Sequence, residues 1–207
     1  MTITEIENCS KGKYLLYLND EAAFTLYGKE VKEFSLKEGM ELSQELYQEI
    51  LEKILTVRAK RRTLHLLDRR DMTERELRDR LEKGYYPEEA IDSAVEAAKK
   101  GNYLNDRRYA MQYALERSRR KSRRRIAEDL RQKGISAEEI ELALEDISDS
   151  DQALLQKLIE KRCRQEDSLS PQSLCPEKRG KLIRFLASKG FTIPDIRRAL
   201  QEYENCQ

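Results

Sequence analysis

Histidine occurs once, at His65, and the four cysteines (Cys9, Cys163, Cys175 and Cys206) stand far apart with no CxxC pair among them. Zinc sites gather several such ligands at short spacings, so the sequence argues against one, and no metal or other cofactor is expected. A signal-peptide pattern, a lipidation motif and an apolar run near the length of a membrane span are all missing. The cysteines therefore read as reduced thiols without special chemistry in a cytoplasmic protein that has no membrane partner. There is no Gly-rich phosphate loop and no nucleophile elbow. Carboxylates abound, but as i, i+4 partners of Lys and Arg on exposed helical faces. No catalytic residue is assigned, and the chain is read as a non-enzyme.

Apolar residues are also scarce, at 39% against 38% charged residues in 207 positions. Such a chain folds if its apolar residues are strictly periodic, because narrow helical stripes need fewer of them than a sheet sandwich does. A thin molecule with much surface is expected. Formal net charge is only +1, yet it is unevenly placed: residues 102–134 hold eleven Lys and Arg against four Asp and Glu, while residues 1–60 hold eight against eleven. The middle of the chain attracts what its amino-terminal part repels.

Along the chain, Lys13-Tyr-Leu-Leu-Tyr-Leu18 and Ala23-Phe-Thr-Leu-Tyr27 are aromatic-rich, β-type runs separated by Asn19-Asp20-Glu21, which predicts a hairpin; residues 3–7 add a third short strand. Between Gly28 and Gly39 there is room for only a helical turn. From Leu42 the period becomes helical, with Leu42, Leu46, Ile50, Ile54, Val57, Leu64 and Leu67 on one face up to about Arg70. Thr73-Glu74-Arg75-Glu76 is a capping box that opens a short helix ending at Gly84. Pro87 opens a third helix that carries Ile91, Ala94, Val95 and Ala98 and stops at Gly101.

This unit then repeats. Leu77, Leu81, Ile91 and Val95 correspond to Ile126, Leu130, Ile140 and Leu144 at a constant offset of 49, and those to Leu182, Leu186, Ile196 and Leu200 at a constant offset of 56. Gly134 and Gly190 keep the second offset, while Gly84 falls one residue early. Ser136-Ala-Glu-Glu139 and Thr192-Ile-Pro-Asp195 start equivalent helices. The expected fold is therefore mainly α: three tandem three-helix repeats in an elongated array behind a small N-terminal β segment. The expected boundaries are 1–41 for the β segment and 42–100, 101–147 and 148–207 for the repeats. Stacked repeats of this kind leave an extended concave side. The polar, proline-containing stretch 165–175 is the expected flexible loop.

The second repeat contains the feature with most chemistry in it. Arg117, Arg119, Arg120, Lys121, Arg123, Arg124 and Arg125 crowd a helix junction that no proline interrupts. Two readings stay open: a surface for a polyanion or an acidic protein face, or a solvated junction without a partner. Tyr103, Tyr109 and Tyr113 are spaced as a buried helix face and are expected in the core. A groove-reading helix-turn-helix is disfavoured, because the helices that would enter DNA begin with acids, Glu88-Glu89 and Glu138-Glu139, which suit the helix dipole and repel phosphate.

The string Gly101-Asn-Tyr-Leu-Asn-Asp-Arg-Arg-Tyr-Ala110, followed by a basic helix and by Leu130-Arg-Gln-Lys-Gly-Ile135, resembles the hallmark region of the RecX family of bacterial regulatory proteins. Arg75-Glu-Leu-Arg-Asp-Arg-Leu81 and the three-unit layout are similar too, and the β segment resembles that of the longer, Gram-positive-type members. The likeness covers nearly the whole chain, and residues 73–135 are its most specific part. Two small departures are Asn105, where an aspartate is common, and the displaced Gly84. The resemblance implies an elongated series of three-helix repeats that binds the filament RecA recombinase forms on single-stranded DNA and restrains recombination and the accompanying ATP hydrolysis. It brings no catalytic residues. The seven basic residues above are the candidate contact surface for RecA, for single-stranded DNA or for both, on a chain expected to be a monomer. A sequence-independent nucleic-acid-binding module is the alternative.

Overall fold

The computed structural model describes residues 1–10, 12–145, 147, 151–165 and 176–205. Residues 166–175 of the expected loop, the chain just before Asp151, and Cys175 and Cys206 lie outside the described residues. The chain is mainly helical with a three-stranded sheet at its amino end, and it divides into two compact units, 1–105 and 106–207.

In the first unit, β1 (Ile3–Ser10), β2 (Lys13–Leu18) and β3 (Glu21–Tyr27) form an antiparallel meander in that order. Asn19 and Asp20 both take positive φ, 51° and 70°. These are the two centres of a primed turn, whose twist matches that of the flanking strands. Helix α1 (Gly28–Glu33) fits the short space left for it. The sheet does not stand alone: Ile3, Leu16, Phe24 and Leu26 share one core with Ile50, Leu55, Leu77, Leu81, Ile91 and Val95. Arg58 adds a polar tie, pairing with Glu30, donating to the Thr25 carbonyl at 3.0 Å and lying over the Tyr27 ring at 4.6 Å.

The long helix expected from Leu42 is helical throughout but not uniform. Helix α2 (Gln44–Ile50) runs into a π-helical segment, Leu51–Thr56, and then into α3 (Val57–Arg69). The buried positions are Ile50, Leu51, Leu55, Ala59, Thr63 and Leu66. Val57 and Leu64, expected on the inner face, are instead 49% and 47% exposed. The buried set steps mostly by four, and each such step drifts about 40° on a regular α-helix. A wider π turn absorbs that drift and keeps the set facing the core.

Helix α4 (Glu74–Glu82) starts where the Thr73 hydroxyl accepts the Glu76 amide, and α5 (Glu88–Lys100) follows Pro87. In the second unit, α6 (Asp106–Arg117), α7 (Arg123–Gln132) and α8 (Ala137–Glu145) form the second repeat; α9 (Asp151–Gln165), α10 (Pro176–Ser188) and α11 (Ile193–Asn205) form the third. Each has its own core, one around Ala110, Ile126, Leu130 and Ile140, the other around Leu155, Ile159, Leu182, Leu186 and Ile196. Eleven of the twelve residues matched by the offsets of 49 and 56 are buried, and Leu144 is half-buried. The displaced glycine also finds its explanation. Gly134 and Gly190 close their helices with φ of +85° and +97°, and the same place in the first repeat is taken by Tyr85, at φ +57°. The left-handed turn is kept there by a tyrosine, at a steric cost of roughly 1–2 kcal/mol.

Candidate functional site

The basic stretch lies between the end of α6 and the first turn of α7. Its local shape follows from its serines: Ser118 donates back to the Leu115 carbonyl and closes α6, while the buried Ser122 accepts the Arg125 amide and opens α7. The third repeat then packs on that opening. The Ser122 amide donates to the Lys189 carbonyl at 2.9 Å, and the Arg123 amide donates to the Asp151 carboxylate at 3.0 Å. An acid from α9 thus caps an orphan amide at the positive end of α7. Gly190 is required at this seam. A Cβ there would sit 2.4 Å from both Arg125 Cβ and Ser122 Oγ, quite apart from the left-handed φ.

The structure sorts the seven basic side chains into two groups. Four are half-buried and engaged within the unit. Lys121 Nζ meets Asp129 Oδ2 at 2.5 Å and Arg125 Nε meets Asp129 Oδ1 at 3.2 Å, while Arg123 donates to the Ile147 carbonyl at 2.5 Å. Arg117 lies over the Tyr113 ring at 5.4 Å, and its Nε is buried without a hydrogen-bond partner among the described residues. The other three, Arg119, Arg120 and Arg124, are exposed, and among the described residues their side chains make no hydrogen bond or ion pair. Arg124 borders a groove of about 270 Å³ that Asp151, Asp195 and Glu202 also line.

Asp129, only 9% exposed, is the hub of the engaged group, and the Tyr113 hydroxyl donates to it at 3.1 Å. Burial by itself pushes its carboxyl up. The hydrogen bonds from Lys121 and Tyr113 and the charges of Lys121 and Arg125 outweigh that, and hold it below the usual aspartate value. Tyr113 moves the other way, raised first by burial and then by its bond to Asp129.

The tyrosines separate as well. Tyr109 and Tyr113 stack at 6.2 Å and pack on the core of the second repeat. Tyr103, expected in the core, is instead 59% exposed, and it lies before α6 begins. Three cations outside the basic stretch come to its edge. Lys161 and Arg162 of α9 and Lys189, just past the end of α10, line a groove together with Arg120. A run of charges along the chain could not reveal them, since the third repeat's fold brings them there.

Family models for RecX match three segments: the first three-helix domain at residues 59–96, the second at 105–144 and the third at 149–200. Together they cover more than half of the chain. The chain belongs to the RecX family. It is 32% identical to the regulatory protein RecX of Caldanaerobacter subterraneus subsp. tengcongensis over 97% of this chain and 98% of that one. It is 31% identical to the RecX of Clostridium beijerinckii over 92% and 89%. A crystal structure of regulatory protein RecX superposes with a TM-score of 0.58 at 25% identity, covering 95% of this chain and 98% of the other. RecX from Lactobacillus salivarius shares the fold, with a TM-score of 0.58 at 22% identity over 72% and 97%. The relatives are named as regulatory proteins. The basic cluster falls inside the second RecX domain. No helix among the described residues is long and apolar enough to cross a membrane.

Proposed function

We propose that this RecX-family chain is a cytoplasmic, monomeric, non-catalytic regulator that binds the filament RecA forms on single-stranded DNA and restrains its recombination and ATPase activity. One observation carries the reading. Three exposed arginines, Arg119, Arg120 and Arg124, have no intramolecular partner among the described residues, although they sit on a link fixed at both ends by caps and by the packed third repeat. Arginines presented from a fixed backbone without pairing contribute little to stability, and suit recognition of phosphates or carboxylates. The acids that open α5 and α8, Glu88, Glu89, Glu138 and Glu139, keep those helix ends from reading bases. Recognition independent of DNA sequence follows.

The test compares binding of the full chain to bare and to RecA-coated single-stranded DNA at physiological salt. Tight binding to the coated form with weak binding to the bare form is the expected result. Equal affinity for both, with RecA ATP hydrolysis unchanged, would replace the regulator with a plain nucleic-acid-binding module.

A further inference from the structure

Arg120 leaves the second repeat and enters a groove of about 320 Å³ whose other walls belong to the third: Leu158, Lys161 and Arg162 of α9, Phe185 of α10, and Lys189 just past its end. Among the described residues, four cations line it and no carboxylate does. Arg162 Cζ lies 5.6 Å and Lys189 Nζ 5.2 Å from the centroid of the Phe185 ring, so charge from α9 and from the turn after α10 converges on one aromatic side chain. Glu160, next to Lys161 along the chain, is engaged by Arg164 at 3.8 Å. Cations near the end of α9 suit the helix dipole. The dipole does not account for the arrival of Arg120 from another repeat, nor for the apolar floor of Phe185 and Leu158.

We propose that this groove binds the backbone of a single-stranded nucleic acid, with phosphates on Arg120, Lys161 and Lys189 and a sugar or base against Phe185 and Leu158. The alternation decides for this ligand over an acidic peptide. Carboxylates would use the cations and leave the apolar floor idle, whereas a nucleotide chain alternates charge with flat apolar surface. The proposal deepens the filament reading, on which its biological meaning rests, by assigning where a strand is held. Its test needs no RecA, so the two fail separately.

Binding of the full chain to a labelled oligothymidylate is followed over a range of salt for the wild type, for the double variant Lys161→Gln, Lys189→Gln, and for Phe185→Leu, with melting curves for all three. Each phosphate neutralised on a single strand contributes about −0.7 to the log–log salt slope, so the double variant should lose about 1.4 from the slope. Phe185→Leu keeps an apolar side chain and should keep the slope while binding about tenfold more weakly. A wild-type slope and affinity in the double variant would overturn the proposal, as would no measurable binding by the wild type at low salt. Competition by polyglutamate as strong, charge for charge, as by unlabelled oligothymidylate would also overturn it and give the groove to an acidic protein surface.

Discussion

Asp129 joins Lys121, Arg125 and Tyr113 at the base of the basic link, and its near-complete burial makes the arrangement depend on its charge. Its folded pKa is depressed. The stability it contributes is therefore present above the unfolded value, about pH 4, and is lost as the pH falls through the lower folded value. Asp129→Asn should cost about 1.5–3 kcal/mol at neutral pH, since hydrogen bonds to a charged group are lost and Lys121 is left without its partner. Urea unfolding of both proteins at pH 7 and near pH 3 checks this: the gap should be large at pH 7 and much smaller in acid. Equal stability at pH 7 would remove Asp129 from this role. None of it was legible from Lys121 and Arg125 as members of a charge run, because pairing depends on which face of α7 each side chain leaves.

At the scale of elements, regular periodicity carried the reading where helices are regular and misled it where they are not. The offsets of 49 and 56 picked out buried residues in all three repeats because each repeat buries the same helical positions. The π segment breaks that logic, since a face continued past Ile50 at 3.6 residues per turn runs onto Val57 and Leu64, which the wider turn has moved outward. The two registers differ in a measurable way. Leu55→Ala should cost about 2–5 kcal/mol, and Leu64→Gln should stay within about 0.5 kcal/mol of the wild type. The reverse order in chemical unfolding would restore the uninterrupted α-helical face. Similarly, Tyr103 sits three residues before α6 begins and so escapes the period that buries Ala110 and Ala114.

For the molecule as a whole, the basic cluster was visible in composition, but its division of labour was not. Arg123 is bound to Ile147 and its amide to Asp151, contacts that join residues 24 and 28 positions apart, and the second of them needs the third repeat in place. Of the seven basic residues, Arg119, Arg120 and Arg124 make no hydrogen bond or ion pair among the described residues, and the regulatory reading stands on them. The most direct measurement is RecA ATP hydrolysis on single-stranded DNA at physiological salt, with added wild type or with the triple variant Arg119→Glu, Arg120→Glu, Arg124→Glu, Arg123 being left unchanged. Melting of the variant should match the wild type within a few degrees, because exposed, unpaired charges contribute little to stability. Inhibition by the wild type and its loss by tenfold or more in concentration in the triple variant is the expected result. Full inhibition by the triple variant would contradict the assignment and leave the cluster a solvated junction.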